Sequence, residues 1–188
     1  AQKGDLAGAI VEFRTALTYD PDDAMSYVNL AQALMRQGNR AEAIENMRAA
    51  AALRPDIAEL HYQLGAALAA DGRLNEAMQS FGMAAQIAPQ NPVIRNELAA
   101  ALAALGQFND ALTQFRAVTQ ITPNNPRGWN SLAQCILDLP TATPDQLREA
   151  LAAATRASEL TQNKDAAILQ TRAAVEARLA TLNSRPGP

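Results

Sequence analysis

Prolines stand at Pro21, Pro55, Pro89 and Pro123, each 34 residues after the last. A fixed period of this length is the mark of a stacked repeat, and it constrains the fold more than any composition figure. Other columns share it. Gly4, Gly38, Gly72 and Gly106 each precede a proline by 17 residues, and Ala9, Ala43, Ala77 and Ala111 follow those glycines by five. Phe13, Met47, Phe81 and Phe115 make a further column, as do Leu30, Leu64, Leu98 and Leu132, and Leu34, Leu68, Leu102 and Ile136. Six columns in register exclude coincidence.

Each period divides into two amphipathic helices. Tyr27, Leu30, Ala31 and Leu34 are spaced i, i+3, i+4, i+7, the apolar stripe of a helix. Gly38 ends it, because a glycine accepts the left-handed conformation of a helix terminus. Ala43, Ile44, Met47 and Ala50 repeat the stripe in a partner helix that Pro55 closes. Aspartates around Pro21 and after Pro55 suit helix starts, where carboxylates meet free N–H groups. Ala31, Gly65, Ala99 and Ala133 face Ala43, Ala77, Ala111 and Ala150, and their size implies closely approaching helix axes. Hydrophobic residues make up 48% of the chain but aromatics only 4%. Such a core is built from Ala, Leu and Ile, which favours helices over a β-sandwich.

The succession His61, Leu64-Gly65, Leu68, Gly72, Ala77, Phe81, Ala84 and Pro89 resembles the tetratricopeptide repeat (TPR) pattern, and the likeness runs from Gly4 to about Leu160. It implies an all-α fold, a right-handed α-solenoid of stacked antiparallel helix pairs. One solenoid over 1–182 is expected: a half repeat at 1–21, full repeats at 22–55, 56–89, 90–123 and 124–162, and a capping helix at 163–182. Residues 183–188, with two prolines and a glycine, are expected to be a disordered tail. The fourth repeat departs from the pattern: Leu139-Pro140-Thr141-Ala142-Thr143-Pro144 replaces the glycine turn, with Thr143 and Pro144 suited to start the next helix. That irregular repeat and the closing helix are similar to the C-terminal ends of bacterial TPR arrays. At the other end, Ile10, Phe13 and Leu17 belong to a half repeat with no first helix before them. Their open apolar face is expected to be covered by another copy, a homo-oligomer contact, or by residues outside this sequence. Ala1 opens the chain without an initiator Met or a leader-like stretch, so the expectation is a chain either trimmed or cut from something longer.

The resemblance also implies a concave groove lined by the first helix of each pair. The family's positions map onto Met25, Val28, Gln32 and Met35; then Glu59, Tyr62, Ala66 and Ala69; then Val93, Asn96, Ala100 and Ala103; and finally Arg127, Asn130, Gln134 and Leu137. Alanines floor the middle, amides flank it, and methionines adapt one end to varied apolar surfaces. Such a lining suits an extended or helical peptide. The chaperone-binding members of the family clamp a terminal carboxylate with Lys and Asn; here no Lys stands in the groove, which argues against that ligand.

Catalysis finds little support. His61 is the only histidine and Cys135 the only cysteine, so a His-based triad is not expected, and a multi-His site or a zinc cluster is out of reach. His61 and Trp129 occupy the bulky column of their repeats, where packing explains them, and Cys135 lies among apolar neighbours. No G-x-G-x-x-G, P-loop or C-x-x-C occurs. With 16 basic and 19 acidic residues, a net charge of −3, there is no basic excess for nucleic acid. The longest apolar run, Leu98 to Leu105, is far short of the roughly 18 residues a membrane span needs. The expectation is a non-catalytic protein–protein interaction scaffold without cofactor or metal. The rival readings are a targeting or regulatory segment of a larger enzyme, such as a glycosyltransferase, and a self-assembling scaffold.

Overall fold

The computed structural model describes residues 3–183, with side chains for 6–182. Among the described residues there are ten helices and no strand. They fall into two compact units, residues 1–89 and 90–188. Unit 1 holds α1 (Lys3–Tyr19), α2 (Ala24–Gln37), α3 (Arg40–Leu53), α4 (Ala58–Ala70) and α5 (Leu74–Ile87). Unit 2 holds α6 (Pro92–Ala104), α7 (Phe108–Ile121), α8 (Pro126–Leu137), α9 (Pro144–Leu160) and α10 (Ala166–Asn183). The pairs α2/α3, α4/α5, α6/α7 and α8/α9 are helical hairpins; α3 packs on α4 and α7 on α8.

The periodic glycines close three of these hairpins. Gly38, Gly72 and Gly106 all have positive φ, 92°, 79° and 75°. Each lets the following residue donate back across the turn: Asn39 N–H to the Leu34 carbonyl, Arg73 N–H to Leu68 and Gln107 N–H to Leu102, all at 2.9 Å. The fourth hairpin lacks this glycine and solves the same problem from a distance. The Arg178 guanidinium, on α10, donates to the carbonyl of Leu137 at the end of α8 and to that of Leu139 at 2.7 Å. Leu137 is the counterpart of Met35, whose carbonyl takes the Gly38 N–H at 3.1 Å. Pro140, at the glycine's position, has no N–H to give, and the cation stands in for it. Thr143 then opens α9 with a capping box: Gln146 N–H donates to its hydroxyl at 3.2 Å and Thr143 N–H to the Gln146 side chain at 2.8 Å.

The small residues sit where the hairpins close most tightly. Ala31, Ala43, Ala77, Ala99, Ala111, Ala133 and Ala150 are fully buried. At Gly65 a methyl group would lie 2.7 Å from Cδ1 and 2.8 Å from Cε1 of Phe81, itself buried. Ion pairs tie successive second helices within each unit: Arg14 to Glu42, Arg48 to Glu76 at 3.0 Å, and Arg116 to Glu149 through two bonds of 2.7 and 2.8 Å. Exposed pairs of this kind add little stability. Their recurrence does show that the repeat register extends to the outer surface.

Both ends differ from expectation. Ile10 is buried rather than left open, because α1 packs against α2; Phe13 and Leu17 are half-buried. The closing helix starts at Ala166, not residue 163. Gln162 and Asn163 adopt left-handed φ of 54° and 57°, which ends α9, and Asp165 then caps α10 by accepting from Ala167 and Ile168 N–H. α10 packs on α9 and α8 and buries Ile168, Thr171 and Val175. Asn183 belongs to α10 rather than to the expected tail, whose remaining residues, 184–188, lie outside the described residues.

Candidate functional site

Unit 1 carries two adjoining clefts between α2 and α4. The larger, about 540 Å³, is lined by Met25, Val28, Gln32 and Glu59 together with Asp20, Asp22, Asp23, Ile57 and Gln63. Next to it, a cleft of about 420 Å³ is lined by Gln32, Met35, Tyr62 and Ala66 with Arg36, Met47 and Gln63. Gln32 and Gln63 line both, so the two are one trough. Met25 is 62% exposed at its edge although apolar, while Val28 is buried in its floor. The Tyr62 ring rests on Phe81 at 5.9 Å, tilted by 46°, which fixes the groove's aromatic wall to the hairpin core.

Unit 2 has a cleft of about 460 Å³, which receives Val93 and Asn96 from α6, Arg127 and Asn130 from α8, and Asp165 and Ile168 from the start of α10. Val93 is 53% exposed. The Asn130 Oδ1 is buried without a hydrogen-bond partner, an uncommon condition for a side-chain acceptor. α10 therefore occupies the place of a first helix in a further pair, which the sequence reading treated only as a cap.

Of the sixteen sequence-predicted groove positions, all but Ala69, Ala100, Ala103, Gln134 and Leu137 line one of these clefts. Ala100 is exposed and Ala69 half-buried outside them. The Gln134 amide instead donates to the Thr171 hydroxyl of α10 at 3.4 Å. The reading missed a neighbouring column, Asn29, Gln63, Glu97 and Ser131, also spaced by 34, whose members line the same clefts. It also missed Asp20, Asp22 and Asp23, which it took only as helix-start residues. Asp23 does cap α2, accepting from Met25 N–H at 3.0 Å and from the Ser26 hydroxyl, and the latter bond foremost holds its carboxyl below the ordinary value.

The residue types capable of chemistry are occupied structurally. His61, buried, places Nε2 3.1 Å from the Pro55 carbonyl, and Trp129 donates its Nε1–H to the Pro123 carbonyl at 2.9 Å, the same contact in the same column two repeats later. Burial, and secondarily Asp138, pushes the Cys135 thiol up to about 11, against a smaller opposing effect of Arg116. Such a thiol is almost wholly protonated at neutral pH and a poor nucleophile. Among the described residues no group of His, Cys, Asp and Glu could hold a metal ion, and no helix is long and apolar enough to cross a membrane.

Comparison with known proteins places this geometry. Two Tetratricopeptide repeat models match residues 68–135 and 28–92, and a TPR repeat model matches 1–38. No curated protein sequence matches the chain. Among solved structures, a crystal structure of MamA is similar over 86% of this chain and 92% of its own, with 22% identity and a TM-score of 0.74. YrrB, described as a TPR protein with an unusual peptide-binding site, is similar over 90% of this chain and 84% of its own at 20% identity and a TM-score of 0.76. The Sgt2 TPR domain from Aspergillus fumigatus covers 70% of this chain and 84% of itself, at 22% identity and a TM-score of 0.60. The repeat columns, the glycine-closed hairpins and these likenesses agree: the fold is an all-α helical-repeat solenoid, and the chain belongs to the tetratricopeptide repeat family.

Proposed function

We propose that this chain is a non-catalytic protein-interaction module that binds a peptide segment along the first helices of its repeats. The observation carrying this reading is the gathering of the groove positions into clefts within each unit, with exposed apolar side chains, Met25 and Val93, beside amides such as Gln32, Asn96 and Asn130. Apolar side chains standing in water at the mouth of a cleft gain by being covered, at roughly 25 cal/mol per Å². Amides alongside them offer donors and acceptors to a ligand backbone. YrrB supports the reading by analogy of fold. The groove residues offer no paired acid and base and no activated nucleophile, so binding, not turnover, is the activity the lining serves.

Selection of peptides from a random displayed library against the purified chain tests this. Enriched peptides should lose at least about tenfold in affinity when Ala66→Arg fills the unit 1 trough or Asn96→Arg fills the unit 2 cleft, with the helical circular dichroism unchanged; about 1.4 kcal/mol corresponds to that factor. Affinity untouched by both substitutions would move the binding site elsewhere.

A further inference from the structure

The unit 1 trough is chemically lopsided. At one end Asp20, Asp22, Asp23 and Glu59 gather beside the exposed Met25, and the one cation there, Arg54, is already drawn to Asp56 at 3.4 Å. At the other end Met35, Met47, Tyr62 and Ala66 form an apolar wall, with Arg36 beside it. The two ends are joined through Gln32 and Gln63, which line both. Negative charge at one end and a lone cation at the other make the trough directional, so a ligand of uniform character would leave one end mismatched.

We infer that this trough takes a peptide segment that carries Arg or Lys at one end and a bulky apolar side chain at the other. The inference rests on the groove reading above and narrows its partner. The basic residue lies over Asp22 and Glu59, and the apolar one enters between Met35 and Tyr62. Methionines suit that end, since their unbranched, polarizable chains adapt to different apolar shapes. The spacing follows from helix geometry. Met25 and Met35 lie ten residues apart on α2, about 15 Å along its axis at about 1.5 Å per residue. An extended ligand rises about 3.3 Å per residue, so the two anchors sit about four to five residues apart. The chain's net charge of −3 has the sign that steers such a ligand inward.

Fluorescence anisotropy on the whole chain tests it, with two labelled ten-residue peptides of alanine–glycine background. One has two arginines placed four residues from a leucine–methionine pair; its counterpart has two glutamates in their place. The basic peptide should bind at least about tenfold more tightly at low ionic strength, and its advantage should collapse near 1 M salt, where the screening length falls to about 3 Å. Asp22→Lys with Glu59→Lys, both surface positions, should reverse the preference, and Ala66→Arg should weaken the basic peptide about tenfold. Equal affinities, no binding of either peptide, or a preference unmoved by the double lysine variant would overturn the inference. So would self-association of the chain that Glu59→Lys abolishes, since the trough would then belong to a second copy. Acidic or neutral peptides emerging from the library selection, still sensitive to Ala66→Arg, would overturn this inference alone and leave the groove reading standing.

Discussion

Gly65→Ala separates close helix approach from helix propensity, because the two act in opposite directions at that position. Alanine in place of glycine inside a helix is worth about 1 kcal/mol on propensity. Against this, the new methyl would meet Phe81 Cδ1 at 2.7 Å, Cε1 at 2.8 Å and Cγ at 3.1 Å. Ordinary contact begins near 3.4 Å, so ring and helix must part by about 3.4 − 2.7 = 0.7 Å. Phe81 is 1% exposed and its ring is rigid, so no flexible end can swing aside. Overpacking of this kind costs about 1–3 kcal/mol, and contacts with rigid ring atoms belong in its upper half. The net expectation is a loss of about 1–2 kcal/mol, or roughly 2–8 °C in Tm if the chain unfolds in one transition. Gly82→Ala is the control. It lies in α5, where an added methyl meets nothing within 4 Å, so it should stabilise by up to about 1 kcal/mol. Urea unfolding of both variants, with Gly65→Ala/Phe81→Leu to relieve the contact, gives the answer. If Gly65→Ala stabilised as much as Gly82→Ala, the argument for glycine at this hairpin would be wrong. Because Tyr62 rests on Phe81, the same substitution should also weaken peptides held in the unit 1 trough.

Other outcomes follow from single contacts. Arg178→Ala leaves the carbonyls of Leu137 and Leu139 without their cationic donor, and should cost about 2 kcal/mol while raising amide exchange around 137–143; unchanged exchange there would show that the turn holds itself. Cys135, its thiol near 11, is about one part in a thousand thiolate at pH 8, so iodoacetamide should leave the native chain unlabelled and modify it only once unfolded. Rapid native labelling would place that thiol in water. Glu76 is held below its ordinary value of 4.5, chiefly by the hydrogen bond from Arg73 and then by that from Arg48. A carboxylate depressed in the folded state stabilises above its unfolded pKa and loses that contribution as pH falls through its folded one. Stability should therefore fall below about pH 4.5, and Glu76→Gln should flatten that acid limb; identical pH profiles would exclude the contribution.

The architecture was legible because its determinants are local and repeated. Gly38, Gly72 and Gly106 each close a turn through their own backbone, and the buried alanines follow a column that a single sequence displays. The fourth repeat was legible only as an irregularity. Its missing glycine is replaced by Arg178, about forty residues downstream, and no periodic pattern announces a contact between unlike positions. The start of α10 escaped for a different reason: Gln162 and Asn163 enter the left-handed region without being glycine. Asparagine does this more readily than most residues, so Asn163 followed by Asp165 was the available signal. In the groove, eleven of the sixteen mapped positions line a cleft, while Asn29, Gln63, Glu97 and Ser131 were passed over, although their spacing was as regular as that of the prolines.

The division between what is repeated and what is not also bears on function. Columns that set the fold are nearly constant from hairpin to hairpin: Ala31, Gly65, Ala99 and Ala133 hardly differ. The groove positions vary freely over the same frame, running Met25, Glu59, Val93 and Arg127 at one level and Val28, Tyr62, Asn96 and Asn130 at another. A frame that needed these residues for packing would not tolerate an apolar, an acidic and a basic side chain in one column. Met25 at 62% and Val93 at 53% exposure contribute little to either core, and the buried acceptor on Asn130 is a cost to stability rather than a support. Residues that a fold does not need, and in one case is better without, gather in its clefts. Stability and binding are thereby separable: Asn130→Leu should hold or raise the unfolding midpoint while weakening peptides that occupy the unit 2 cleft, a trade expected where function is placed on a stable frame. A loss of both together would mean that Asn130 is part of the frame.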